Sequence, residues 1–168
     1  MKLRTVLSTM VSLSVLPLQS FGADPATGNA TFNIRAVVSG NVGIMSASGG
    51  QIQDMEMVYV PGVGLEDSTQ LIQFTSNDAE DGHKISVTLP VAAKISNAAS
   101  STDVPLTVSI ADTQLSTTTT EMSKVTIDPT THKSAPLELK IHATGKTDSL
   151  GAGTYNGSVV LNISQPTS

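Results

Sequence analysis

Apolar and polar residues alternate with a period of two in many short segments of this chain. Residues 31–38 show the pattern most clearly, with Phe32, Ile34, Ala36 and Val38 on one side and Thr31, Asn33 and Arg35 on the other. Successive side chains of a strand point to opposite faces, so this alternation predicts a half-buried strand. After the first 22 residues, no segment shows the apolar spacing of a helix.

Similar β-like segments follow, and turn-forming residues separate them at intervals of roughly 8–12 residues. They cover 42–45, 52–60, 69–75, 84–89, 91–95, 104–110, 125–127, 136–142 and 154–164. An irregular Thr-rich edge is expected at 113–122, and Asp81–Gly82 is expected to form a hairpin turn. The chain is therefore predicted to be one all-β domain of the β-sandwich type.

The first 22 residues have the features of a secretory signal peptide. Residues 6–18 are mostly apolar, and Ser20 and Gly22 are spaced like the −3 and −1 positions of a cleavage site. Cleavage is expected before Ala23, with cleavage after Ala23 as the second choice. A membrane anchor is disfavoured because the apolar run is short and contains Ser and Thr.

Charge and composition argue against nucleic-acid binding and limit how the chain can be stabilised. The net charge is −5, and it becomes −7 when a signal with Lys2 and Arg4 but no acidic residue is removed. An acidic chain without a basic patch is a poor candidate for binding nucleic acid. The chain has no cysteine, so its stability must come from something other than disulfides, such as a β-rich core completed by a partner.

No group of residues predicts catalysis, a cofactor or a metal site. The three histidines, His83, His132 and His142, are scattered along the chain, and the acidic group at 78–81 lacks the terminal glutamate of a calcium loop. No serine lies in a Gly-x-Ser-x-Gly or Ser-x-x-Lys motif. The chain is therefore predicted not to be an enzyme and to hold neither a cofactor nor a metal.

The position of residues 31–38 matters as much as their pattern. The segment closely follows the predicted signal, and the turn-forming triplet Ser39-Gly40-Asn41 separates it from the rest of the chain. A strand on such a short tether can pair with its own domain or with a neighbouring molecule. We expect it to pair with a neighbour.

The order of these motifs resembles that of the major pilin subunits of the alpha-fimbrial chaperone–usher class, the family of the colonisation factor antigen I pilin. The likeness is carried by the N-terminal strand at 32–38, by 75–78 followed by 84–89, by 104–110 followed by 114–118, and by 153–157 leading into 159–161. It covers nearly all of the mature chain.

The resemblance implies an incomplete immunoglobulin-like β-sandwich that is completed by donor-strand exchange. Residues 1–22 are then the signal peptide, 23–40 the N-terminal donor-strand extension and tether, and 41–168 the immunoglobulin-like pilin domain. The donor residues would be Phe32, Ile34, Ala36 and Val38, and the acceptor groove would lie along Tyr155, Val159, Leu161 and Ile163 of the last strand. Tyr155 is also expected to be a packing anchor where that strand begins.

The implied function is that of a structural major subunit of an adhesive surface fimbria, which supports attachment to host cells. The implied partners are further copies of the chain, a periplasmic chaperone, an outer-membrane usher, a tip adhesin and a host-cell receptor. The implied route leads through the periplasm to the cell surface. Two alternatives stay open: a minor or tip adhesin that binds a host receptor, and a self-complemented domain in which the first strand folds back onto its own chain.

Overall fold

The computed structural model of the chain describes residues 29–38, 42–80 and 83–166, and for Asn29, Val37 and Val38 it describes the backbone alone. The described residues form twelve strands: β1 (Asn29–Val38), β2 (Val42–Ser46), β3 (Met55–Val60), β4 (Gly64–Leu65), β5 (Ser68–Ser76), β6 (Ser86–Thr88), β7 (Lys94–Asn97), β8 (Thr102–Ile110), β9 (Thr113–Gln114), β10 (Thr120–Glu121), β11 (Leu137–Ala143) and β12 (Tyr155–Ser164). Within these residues there is no helix that could cross a membrane. The predicted signal peptide at 1–22 and the predicted turn at Asp81–Gly82 lie outside the described residues.

The all-β prediction is confirmed. The predicted strands at 42–45, 69–75, 104–110, 136–142 and 154–164 correspond to β2, β5, β8, β11 and β12. The strand predicted at 125–127 is wrong, because Ile127 forms only an isolated bridge with Ser134. The Thr-rich segment at 113–122 is irregular, as expected, and contributes only the two-residue strands β9 and β10.

Strand β8 joins the two halves of a curled sheet. Its first part, 102–105, pairs with β7, and its second part, 106–110, pairs with β11. The half on the β11 side continues through β5 to β2, and the half on the β7 side continues through β12 and β1 to β3. Both halves contribute to one shared core.

The core is built from the inward faces that the alternation predicts. Strands β5, β8, β11 and β12 each bury alternate residues along part of their length. The largest fully buried side chains include Phe74, Ile72, Ile110, Leu139, Ile141 and Leu161. Full burial of such a side chain contributes about 1.5–3 kcal/mol, so these faces are the main source of stability.

The last strand, β12, has neighbours on both of its edges. Strand β1 of the same chain pairs with one edge, and β7 and β6 pair with the other. The single chain therefore adopts the arrangement of the self-complemented alternative and does not leave the last strand with an open edge. The pairing of this first strand with a neighbouring molecule stays a prediction.

Candidate subunit interface

Strands β1 and β12 run parallel over nine consecutive residue pairs, from Ala30 opposite Tyr155 to Val38 opposite Ile163. The predicted donor residues therefore lie directly against the predicted acceptor strand. Between these two ends, the predicted donor residues pair as Phe32 with Gly157, Ile34 with Val159 and Ala36 with Leu161. All other pairings among the described strands are antiparallel.

Burial follows the alternation along β1. Ala30 and Phe32 are each 1% exposed, whereas Ile34 and Ala36 are half-buried and pack against the core. Asn33 and Arg35 are exposed, as their alternate positions predict. The side chain of Val38 lies outside the described part of the structure. Strand β1 is thus seated most deeply at its N-terminal end.

The acceptor side of this contact belongs to the core. Tyr155, Val159, Leu161 and Ile163 are all buried. The hydroxyl group of Tyr155 donates a hydrogen bond to the carbonyl oxygen of Gly151, 3.2 Å away, which satisfies the polar end of the ring near the start of β12. This buried, hydrogen-bonded ring is what a packing anchor at a strand start requires.

Strand β1 has a second neighbour along only part of its length. Strand β3 pairs antiparallel with residues 29–32, and no described strand pairs with the same edge of residues 33–38. Beside this edge lies a surface cavity of about 260 Å³, whose lining includes Ile34, Ala36, Ile44 and Ile52. The C-terminal half of β1 is therefore an edge strand with an incompletely covered apolar face.

Gly157 leaves no room for a side chain on the inward face of β12. A β-carbon at this position would overlap the carbonyl oxygen of Lys94 and would lie 2.9 Å from the Cγ2 atom of Ile95. The glycine thus allows β7 to pack closely against β12, while Phe32 covers the opposite edge at the same level. The sequence pattern places Gly157 on this face but does not reveal the close approach.

Gln165 fastens the end of β12 to the segment that follows β5. Its Oε1 atom accepts a hydrogen bond from the Ser76 hydroxyl group at 2.5 Å. Its Nε2 atom donates to the carbonyl oxygens of Asp78 and His83, at 3.0 and 2.6 Å. The sequence does not predict this role, because a glutamine in a polar tail carries no signal for partners almost ninety positions away.

The same segment brings His83 next to two acidic residues. The Nδ1 atom of His83 lies 2.6 Å from Asp78 and 3.9 Å from Glu80, and the ligand atoms of the three residues lie within 4.8 Å of one another. The pKa of Asp78 lies below its ordinary value, because the backbone N–H group of Glu80 and the His83 ring form hydrogen bonds with the carboxylate. These bonds within the segment account for the arrangement.

Comparison with known proteins decides what kind of chain carries this strand pair. The family model of the CS1 type fimbrial major subunit matches residues 29–164, from the first residue of β1 to the last residue of β12. The chain belongs to this family. It is therefore a structural subunit of a surface fimbria and not an enzyme, and the predicted resemblance to fimbrial pilins is confirmed.

A solved structure supports the fold of this CS1 type subunit. The CooA pilin subunit from enterotoxigenic Escherichia coli aligns with a TM-score of 0.51 and 16% sequence identity, over 77% of this chain and 100% of that chain. At this identity the likeness establishes the pilin fold. None of the curated protein sequences matches the chain.

Proposed function

We propose that this CS1 type subunit builds the fimbrial shaft by donor-strand exchange, in which β1 leaves its own sheet and fills the same place in a neighbouring copy. The observation that supports the proposal is the position of β1 in the sheet. The strand is the N-terminal element of the described fold, it lies against the buried face of β12, and its C-terminal half is a sheet edge. A segment at the start of the fold can be withdrawn without breaking the order of the strands that remain.

The body of the subunit needs a strand in this place. Without β1, the edge of β12 would present unpaired N–H and C=O groups next to an apolar surface, which favours association with another strand. Burial of Phe32 alone contributes about 1.5–3 kcal/mol, and each ladder hydrogen bond contributes about 1 kcal/mol net. These gains are available from any copy of β1, whether it belongs to the same chain or to another.

The proposal extends to the donor and acceptor residues. Phe32, Ile34, Ala36 and Val38 are the apolar residues that the neighbour receives, and Tyr155, Val159, Leu161 and Ile163 form the surface that receives them. In the described part of β1, Phe32 is buried and Arg35 is exposed, which agrees with this division of faces.

The proposal extends to export and to the remaining partners, which the resemblance to fimbrial pilins implies. We propose that the chain is exported through the periplasm with its signal removed, and that a periplasmic chaperone covers the edge of β12 until the next copy replaces it. An outer-membrane usher and a tip adhesin complete the assembly, and the finished fimbria supports attachment to host cells.

The test is deletion of residues 23–38 in cells that produce the fimbria. The deletion is expected to abolish the ladder of multimers on an unheated denaturing gel and to leave a monomer bound to the chaperone. The matched control replaces residues 23–28 alone with Gly and Ser, which spares β1 and is expected to leave the ladder intact. Normal fimbriae from the deleted chain would refute donor-strand exchange.

A further inference from the structure

We infer that Asp78, Glu80 and His83 bind one divalent transition-metal ion, and that Zn²⁺ suits this set of ligands best. The three residues lie between β5 and β6, beside the end of β12. Each side chain offers one ligand atom, and the three atoms lie within 4.8 Å of one another. The inference goes beyond the proposed function, because it concerns the body of the subunit and does not depend on donor-strand exchange.

The distances within the cluster suit an ion with short bonds. The Nδ1 atom of His83 lies 2.6 Å from Oδ2 of Asp78 and 3.9 Å from Oε2 of Glu80. Ligand atoms that surround Zn²⁺ as a tetrahedron, at about 2.0–2.2 Å from the ion, lie about 3.3–3.6 Å from one another. The two distances fall on either side of this range. The side chain of Glu80 is 76% exposed, so it is free to make the small shift that closes the cluster around an ion.

A small cavity lies at the cluster and is held from outside it. The cavity has a volume of about 10 Å³, the room of roughly one water-sized particle, and its lining includes the three residues and Gln165. The Nε2 atom of Gln165 donates hydrogen bonds to the backbone carbonyl oxygens of Asp78 and His83. The end of β12 therefore fixes the backbone of two of the three ligand residues. A site arranged in advance loses less conformational freedom when it binds an ion.

The types of ligand atom select the metal. One imidazole nitrogen and two carboxylate oxygens suit Zn²⁺, and three protein ligands leave the fourth tetrahedral position to water. Ca²⁺ takes six to eight oxygen ligands, and Mg²⁺ is bound through oxygen in an octahedron, so this cluster suits neither. Lys84 lines the same cavity, but the two carboxylates outweigh its single positive charge. We therefore expect Zn²⁺ to bind more tightly than Ca²⁺ or Mg²⁺.

The geometry also indicates which ring nitrogen binds the ion. Nδ1 of His83 is the nitrogen that faces Asp78, and a hydrogen bond joins these two groups in the described chain. A metal ion takes the lone pair of the nitrogen that it binds, so the proton of the neutral ring then lies on Nε2. Asp78 exchanges its hydrogen bond with the ring for a bond to the ion. Coordination through Nδ1 is thus the expected signature of the site.

The test is calorimetric titration of the purified full chain, without a histidine tag, with ZnCl₂. One Zn²⁺ is expected per chain, and both Glu80→Gln and His83→Asn should weaken binding at least about 10-fold, since loss of an outer partner of a ligand already costs about 10–100-fold. Glu80→Gln should not disturb the metal-free fold, because it keeps the backbone N–H group that bonds Asp78. His142→Asn is the matched control. His142 contacts a single carboxylate among the described residues, that of Asp67, so this variant should bind Zn²⁺ like the wild type.

Two further measurements report where the ion binds. Zn²⁺ should slow hydrogen exchange of the amides at 76–80, because the ion joins the two ends of the segment that carries its ligands. The ¹⁵N signal of Nδ1 in His83 should shift on binding, while Nε2 keeps its proton. Ca²⁺ at the same concentration should produce neither effect.

Three results would overturn the inference. The first is the absence of saturable Zn²⁺ binding at one site per chain. The second is an unchanged affinity for Zn²⁺ in either Glu80→Gln or His83→Asn, which would exclude a site built from three ligands. The third is equal competition by Ca²⁺, which would exclude the imidazole as a ligand. None of these outcomes bears on donor-strand exchange, which is tested separately by the deletion of residues 23–38.

Discussion

Phe32 lies directly opposite Gly157 in the parallel pairing of the first and last strands. The largest apolar side chain of β1 thus meets the one position on the inward face of β12 that has no side chain, and Phe32 is 1% exposed there. A large residue opposite a small one lets two neighbouring strands fill the core without a void. This pair is one of the nine that define the register of β1 in the self-paired chain.

Ile34→Asp is expected to block fimbrial assembly and to destabilise the self-paired monomer. Ile34 is half-buried and packs against the core, so the variant places a carboxylate against apolar groups. This should lower the free energy of unfolding by about 1–3 kcal/mol. The readouts are the multimer ladder on an unheated gel and the free energy of unfolding in urea. Arg35→Asp, at the exposed neighbouring position, is the control and should be much milder. Equal effects of the two variants would contradict the assignment of faces.

Gly157→Ala is expected to lower the free energy of unfolding by about 1–3 kcal/mol, because the added methyl group must push β7 away from β12. Gly151→Ala is the matched control, since a β-carbon at Gly151 would meet nothing within 4 Å. Its effect should stay within about 0.5 kcal/mol. Chemical unfolding of both variants measures the difference, and a neutral Gly157→Ala would argue against close packing of β7.

Asp67 is expected to make the chain sensitive to acid. Its carboxylate lies 2.6 Å from the Nζ atom of Lys140 and 2.5 Å from the Nδ1 atom of His142. Hydrogen bonds with Lys140 first and then with His142 hold the pKa of Asp67 below its ordinary value of 3.8. The stabilisation is therefore present above pH 3.8 and is lost as the pH falls through the lowered pKa.

The corresponding variant is Asp67→Asn, which removes the titrating group. The group is partly exposed, so the stabilisation should not exceed about 1 kcal/mol. When the pH is lowered from above 3.8 to below it, the free energy of unfolding should fall more for the wild-type chain than for Asp67→Asn. Glu66→Gln, at the exposed neighbouring position, is the control and should behave like the wild type. The same loss of stability in Asp67→Asn would mean that another group is responsible.

Gln165→Ala is expected to loosen the segment after β5. The variant removes three hydrogen bonds that join the end of β12 to Ser76, Asp78 and His83, and the cost should be about 1–2 kcal/mol. Hydrogen exchange of the amides at 76–80 should become faster, as a local effect. Ser164→Ala, at an exposed position one residue earlier, should leave this exchange unchanged. Unaltered protection in Gln165→Ala would show that the segment is held by other contacts.

The strands that could be predicted from the sequence are those whose two faces differ most in burial. Strands such as β5, β8, β11 and β12 bury one face and leave the other more exposed, so apolar and polar residues alternate along them in the sequence. Residues 125–127 look similar over a shorter distance, but burial of Val125 and Ile127 does not require a ladder of hydrogen bonds. Three residues are too few for alternation to separate a strand from a buried loop.

The partner of β1 could not be predicted from the same pattern. Alternation specifies which face of the strand is buried, and that face is the same whether the groove belongs to its own chain or to a neighbour. Contacts between distant polar residues were equally out of reach, as for His142 and Asp67, which are 75 positions apart. No periodicity links such residues, because their meeting depends on the folded path of β11 and the start of β5.

In the proposed donor-strand exchange, each copy supplies one strand and accepts one strand, and this has a consequence for the two ends of a fibre. In a head-to-tail polymer built this way, one terminal copy retains an unused strand but has its edge filled, and the other retains a vacant edge but has given its strand away. Neither terminal copy can pair its first strand with its own last strand, since one has no vacant edge and the other has no unused strand. Such a fibre is polar, its two tips differ in chemistry, and each tip stays reactive until a different protein caps it.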